Sequence, residues 1–261
     1  MEERKRPVRI RFLGTGAAEG IPAIHCDCPH CTRARQENGR LVRERSAIFM
    51  SLPGYNLLID APPDIRDMIN RYEIRNLHGI FATCASYDHI GGIREFEYWG
   101  DRLDFLAEES LFKLIHEDHW TERLRDVFFH IPYYPGAALY FGKFSILPFA
   151  VRRHVPIFGM SIKVKGRRIV YTSDTPNQLT HYACQLMRWA DLLIVNTPTF
   201  EPPKEDHITV IEALRLKEKI GVPRMILTYI NHRNKPHDEL VEYVSQFPGV
   251  MVAYDGMEVE V

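Results

Sequence analysis

The chain has no surplus of charge of either sign. Over 261 residues, 33 Lys+Arg stand against 34 Asp+Glu, a formal net charge of −1. That balance removes any electrostatic argument for nucleic acid, an anionic membrane surface or an acidic partner. No apolar run nears the ~18 residues of a membrane span. Residues 1–12 are basic, with neither an apolar stretch nor a small-residue cleavage site. No secretory signal is therefore expected, and the expected compartment is the cytoplasm. Cysteine is scarce and odd in number, with five in all. Without an export signal, an odd set argues against a disulfide framework. Low-complexity tracts and short repeats are missing too, and 45% of the residues are hydrophobic. Disordered and collagen-like classes are thus excluded. No linker divides the chain, so a single domain over 1–261 is expected.

What is there begins with the cysteines. Cys26, Cys28 and Cys31 fall within six residues, in His25-Cys26-Asp27-Cys28-Pro29-His30-Cys31. Three soft sulfurs on one tight loop can converge on a tetrahedral zinc ion. The fourth ligand is left open between His25, His30 and a distant residue. An iron–sulfur cluster fits less well, since it usually takes four cysteines. Cys84 and Cys184 read as small core hydrophobes.

Strand and helix signals alternate. VRIRFLG (8–14), SAIFMSL, YNLLIDA, HGIFATC (78–84), DLLIVNT and PRMILTYI read as strands. Pro53-Gly54 and Lys165-Gly166 read as hairpin turns. PPDIRDMINRYEI puts Ile65, Met68, Ile69 and Tyr72 on one helical face. Residues 32–45 are charged, without a clear apolar face. SLFKLIHED reads as a helix with a serine cap, and Asp206 as the cap of a helix over 207–220. Aromatic strands are expected over 124–151. Clustered strands with helices between them favour a sheet sandwich over a doubly wound sheet.

Polar groups follow several of the buried strands, where ligands collect. They are Asp60, Thr83, Asp88, His89, His154, Asp174, Thr197, Tyr229 and His232. Asp88/His89 with His154/Asp174 would make an oxygen and nitrogen metal site. Gly14-Thr15-Gly16 lacks the third glycine and the following helix of a dinucleotide fingerprint, so nucleotide binding is not expected.

Together these residues resemble the metallo-β-lactamase superfamily over nearly the whole chain. The matching pattern is FLGTG, LLIDA, T-x-x-x-x-D-H-x-G-G over 83–92, His154, Thr172-Ser173-Asp174 and LTYINH. The resemblance implies an α/β (α+β) fold, a four-layer αβ/βα sandwich. GTGAAEGIPAIHCDCPHC is similar to two groups within it. These are the cyclic-phosphate phosphodiesterase of the carbon–phosphorus lyase pathway (PhnP) and the pyrroloquinoline quinone synthesis protein B (PqqB). In both, the three-cysteine loop and a late histidine hold a structural zinc. The resemblance thus implies His232 as the fourth ligand.

The active-site motif departs from this pattern. Active members read T-H-x-H-x-D-H, whereas this chain reads Thr83-Cys84-Ala85-Ser86-Tyr87-Asp88-His89. A third histidine, in L-T-H-x-x-H, is replaced by Tyr229. Asp88, His89, His154 and Asp174 remain as ligands for at most one ion, which would be Zn²⁺, Mn²⁺ or Fe²⁺. For Cys84, a buried thiol that leaves metal alone is favoured over a thiolate ligand. His207, in His207-Ile208-Thr209, matches a histidine that contacts phosphate or protonates the leaving group. Asp88 and His207 are the expected catalytic residues.

Two functions follow from the resemblance. One is a metal-dependent hydrolase of a small, phosphate-containing substrate. The other is a non-hydrolytic, PqqB-like accessory protein. Neither needs nucleic acid or a membrane, and a homodimer is the common assembly of such enzymes.

Overall fold

The structure, a computed structural model, describes residues 7–151, 156–176, 179–201 and 207–261. His154 and Asp206, singled out above, lie outside the described residues. The first sheet takes strands from both chain ends. They are β1 (Arg9–Gly14), β2 (Ala47–Leu52), β3 (Tyr55–Ile59), β4 (Gly79–Phe81), β5 (Leu103–Ala107), β6 (Phe128–Pro132) and, last in the chain, β14 (Glu258–Glu260). Their order is β14-β1-β2-β3-β4-β5-β6. The second sheet holds β7 (Leu139–Tyr140), β8 (Phe144–Val151), β9 (Ile157–Val164), β10 (Arg167–Tyr171), β11 (Leu192–Asn196), β12 (Met225–Thr228) and β13 (Val250–Val252). They run in the order β13-β12-β11-β10-β9-β8-β7. The closing segment 250–261 thus supplies two strands, one to each sheet.

Each sheet is mixed. From β3 to β6 and from β10 to β13 the neighbours are parallel, and the remaining pairs are antiparallel. The helices are α1 (Pro29–Glu37), α2 (Ile65–Arg71), α3 (Tyr87–Ile90), α4 (Glu109–His119), α5 (Glu122–Val127), α6 (His181–Arg188), α7 (Val210–Ile220) and α8 (His237–Val244). Alternation along β11 shows the layering. Leu192 and Ile194 join the core shared by the two sheets, with Phe81, Met160 and Ile226. Leu193 and Val195 pack on the other face, with Met187 of α6, Leu214 of α7 and Leu240 of α8. A strand covered on both faces is apolar throughout, and each such side chain contributes roughly 1.5–3 kcal/mol on burial. α2 and α4 cover the first sheet through Ile65, Met68, Leu111 and Ile115. The result is the αβ/βα sandwich.

Several local expectations are corrected. α4 is capped by the carboxylate of Glu108, which accepts from the amides of Ser110 and Leu111. Glutamate can reach those orphan donors as serine does. α7 starts at Val210 behind a capping box of Thr209 and Glu212, leaving His207 ahead of the helix. It ends at Gly221, whose φ of +70° suits glycine. Residues 122–127 form α5 rather than a strand, with Thr121 as cap. The charged stretch 32–45 does begin in a helix, the end of α1, which buries only Ala34 of these residues, and a short 3₁₀ turn follows. Gly14 is explained by close approach: a Cβ there would lie 2.1 Å from the carbonyl oxygen of Arg45.

Candidate metal centres

The carboxyl ends of the parallel strands meet at one face of the sandwich. β3 delivers Asp60, β4 leads to Thr83 and α3, β10 to Ser173 and Asp174, and β12 to Tyr229 and His232. Asp60, Ser173 and Tyr229 take φ of +63°, +52° and +59°. Left-handed backbone is costly for side chains other than glycine and clusters where surrounding structure fixes it for a purpose.

Cys26, Cys28, Cys31 and His232 converge, their ligand atoms all within 4.8 Å of one another. Nδ1 of His232 lies 3.1, 3.9 and 3.4 Å from the sulfurs of Cys26, Cys28 and Cys31. In a tetrahedral zinc site such nitrogen–sulfur pairs stand about 3.6 Å apart. Local structure sets the loop. Cys28 caps α1 and its sulfur accepts from the amide of Cys31, and Pro29 needs no donor partner at the helix start. The amide of Ala23 donates to the Cys31 sulfur. All three cysteines are free thiols. Burial pushes the Cys31 thiol up to about 12, and a bound cation would reverse that. Nε2 of His232 faces Glu19 at 3.7 Å. His25 is exposed and His30 buried, and neither belongs to the convergent set.

The second cluster lies at the ends of β4 and β10. Nδ1 of His89 is 2.7 Å from Oδ2 of Asp60. The amide and hydroxyl of Thr83 donate to the same carboxylate, each at 2.8 Å. This turns Nε2 of His89 toward Oδ2 of Asp88 at 3.5 Å and Oδ1 of Asp174 at 3.6 Å. Ligand atoms about 2.1 Å from a tetrahedral ion stand about 3.4 Å apart. That Nε2 is buried and has no hydrogen-bond partner among the described residues, and a buried polar atom without a partner is costly. The residues present therefore fit a divalent ion.

Burial works against a charged His89, but Cys84, Asp60, Asp88 and Asp174 raise it well above its ordinary value. Burial likewise opposes a charged Asp174, yet His89 and His207 hold it well below the usual carboxylate range. Asn196 donates to Oδ1 of Asp174. Nε2 of His207 faces that same oxygen at 3.6 Å, without a hydrogen-bond partner among the described residues.

The three substituted positions part ways. Cys84 is buried, and its sulfur lies within 4.8 Å of the ligand atoms of His89 and Asp174. Ser86 is exposed and its side chain makes no capping bond. Tyr229 is buried and its hydroxyl donates to Oδ2 of Asp88 at 2.6 Å. Burial and Asp174 keep that phenol protonated. The sequence reading gave Asp60 no role. The signal was LLIDA, an acid directly after an apolar strand. Asn196 carried no comparable signal.

His207 and Tyr229 also line a groove of about 440 Å³ that reaches Glu19 and His232. A larger cavity, about 1270 Å³, lies at the amino ends of β3, β4 and β5 beside Arg9, Tyr55 and Asp104. It holds neither ligand cluster, and in such sheets chemistry gathers at the carboxyl ends.

A two-sheet αβ/βα sandwich with histidines and carboxylates at its strand ends is the scaffold of the metallo-β-lactamases. Residues 55–230 match the beta-lactamase superfamily domain, and the chain belongs to that family. An octanoyltransferase of Porphyromonas gingivalis is 26% identical over 96% of this chain, which spans about half (51%) of that protein's length. A diphosphatase of the PhnP family superposes with a TM-score of 0.85 at 22% identity, covering 97% of this chain and 98% of that one. The Zn²⁺-bound PqqB of Methylobacterium extorquens superposes equally well, at 0.85 and 20% identity, over 97% of this chain and 100% of that one. Among the described residues, no helix is long and apolar enough to cross a membrane.

Proposed function

We propose that this protein is a hydrolase of small phosphate-containing molecules, of the phosphodiester or diphosphate type, working with a single divalent ion. A zinc ion at Cys26, Cys28, Cys31 and His232 is structural in this reading. The observation that carries it is Nε2 of His89: buried, without a hydrogen-bond partner among the described residues, and 3.5–3.6 Å from Asp88 and Asp174. These residues would hold the ion, which supplies Lewis-acid chemistry and a nucleophile at neutral pH. Asp60 fixes the ring of His89, as outer carboxylates do for metal-bound histidines. His207 stands between Asp174 and the groove, so a proton on its ring can pass to a leaving oxygen there. Tyr229 holds Asp88 in place.

The test is hydrolysis of bis(p-nitrophenyl) phosphate with added Mn²⁺, Zn²⁺ or Fe²⁺, with metal counting alongside. Two ions per chain, and activity that Asp88→Ala abolishes, support the reading. One ion per chain, or no hydrolysis with any metal, removes it.

A second reading is a non-hydrolytic, PqqB-like accessory protein. It is favoured by the joint replacement of three histidine positions with Cys84, Ser86 and Tyr229. Small-molecule binding without turnover would select it.

A further inference from the structure

Cys84 has two environments. Its neighbours in the second core are apolar, among them Phe149 and Val170. A thiol there need do nothing but fill space. Its sulfur, however, lies within 4.8 Å of a ring nitrogen of His89 and a carboxylate oxygen of Asp174. Nε2 of His89 and Oδ1 of Asp174 are 3.6 Å apart, and that nitrogen is fully buried with no hydrogen-bond partner among the described residues. A space-filling role accounts for the apolar side of Cys84 but not for this convergence. One sulfur, one imidazole nitrogen and one carboxylate oxygen make a three-donor set of the kind that catalytic metal sites use, and Asp88, whose Oδ2 is 3.5 Å from Nε2 of His89, stands at the fourth position.

We infer that Cys84 is a thiolate ligand, and that with His89 and Asp174 it makes a mixed sulfur, nitrogen and oxygen centre. This rests on the reading above that the cluster binds one ion, and it adds which ion. Thiolate favours borderline and soft metals, whereas oxygen-rich sites suit manganese and magnesium. The centre therefore takes zinc, ferrous iron or cobalt in preference to Mn²⁺ or Mg²⁺. The cysteine changes the metal preference of the centre as well as replacing a histidine.

The experiment uses full-length protein stripped of its more labile ion, with zinc held at one per chain and checked by metal analysis. Co²⁺ is added and the absorption difference spectrum recorded. The expected result is one bound cobalt and a sulfur-to-cobalt charge-transfer band in the near ultraviolet. A hundredfold excess of Mn²⁺ should leave that band in place. Cys84→Ser should keep its zinc, lose the band and bind cobalt at least tenfold more weakly. Cobalt bound stoichiometrically without the band overturns the role of Cys84 and leaves the single-ion reading standing. No cobalt bound at all overturns both. Should Cys84→Ser fail to fold, the wild-type spectrum decides alone, with Cys84→Ala as the second variant.

Discussion

The hydroxyl of Tyr229 donates to Oδ2 of Asp88 at 2.6 Å, linking the residue after β12 to the first turn of α3. The sequence pattern puts a metal-binding histidine where this phenol stands. A protonated phenol is a donor, so it supports a neighbouring carboxylate instead of binding an ion itself. Tyr229→Phe removes the donor and keeps the ring between His89 and His207, whose centroids lie 5.5 and 6.0 Å away. Loss of an outer partner of this kind costs roughly 10–100-fold in metal affinity or turnover. Metal titration and steady-state kinetics check it, with an unchanged melting temperature as control.

Asp60→Asn should have a similar cost for a different reason. The carboxylate of Asp60 accepts from the amide and hydroxyl of Thr83 and meets Nδ1 of His89. Asparagine tolerates the φ of +63° at this position, so backbone strain does not confuse the result. Its amide can satisfy only part of that set. Metal affinity is expected to fall roughly 10–100-fold while the fold persists. Equal affinity in calorimetric titration would show that His89 needs no orienting partner.

His232→Ala tests the sulfur cluster. His232 ties the β12 end to the first loop, where the Ile230 amide also donates to the Thr15 carbonyl. Zinc content should fall by one ion per chain. Melting temperature should fall with it, because binding energy at such a site is folding energy. Zinc content and melting unchanged from wild type would refute the assignment.

Legibility in the sequence followed the range of each interaction. β4 and β11 were readable because burial on both faces leaves an uninterrupted apolar run. The Lys165-Gly166 turn was readable because both residues take positive φ, +51° and +78°. The cap of α4 was missed because Glu108 serves through a long side chain, where serine is the usual signal. The start of α7 was misplaced because Asp206 and Thr209 both have capping chemistry, and only the reciprocal bond to Glu212 decides between them. In the site, Asp88, His89 and Asp174 were visible as polar residues after apolar strands. The choice of His232 over His25 and His30 came from resemblance, since contacts across some 200 positions leave no local pattern. The bond from Tyr229 to Asp88 crosses 141 positions, so composition and spacing are silent about it.

Restoring the three histidines should restore capacity for another ion. Cys84→His, Ser86→His and Tyr229→His together recreate the motif of active superfamily members. Their sites hold two metals about 3.5–4 Å apart. The expected metal content is three ions per chain, against two in the wild type, counted by plasma emission after dialysis. A count of two would mean that the surrounding shell, and not those three positions, limits occupancy.

His237 sets a pH limit on stability away from both centres. It is buried at the start of α8, and its Nδ1 accepts from Nη2 of Arg43 at 3.0 Å. Arg43 is itself buried, donating to Thr15 and to the Ala253 carbonyl. Burial and that guanidinium lower His237 to about 4. The unfolded chain, with an ordinary histidine near 6.5, therefore takes up a proton that the folded chain refuses. Stability from His237 is fully present above about pH 6.5 and is lost as pH falls toward 4. The loss is on the order of 3 kcal/mol, because each tenfold difference in proton affinity between folded and unfolded chain is worth about 1.4 kcal/mol. Asp255, raised to about 6 by burial, titrates in the same range with the opposite sign, gaining stability as pH falls. The wild-type curve alone is thus a mixture. His237→Asn keeps an acceptor for Arg43 and removes the titration. Between pH 6.5 and 4 the wild type should lose more stability than this variant in urea unfolding, and above pH 6.5 the two slopes should coincide. Parallel curves across the whole range would mean that His237 protonates as readily in the folded protein as in the unfolded chain.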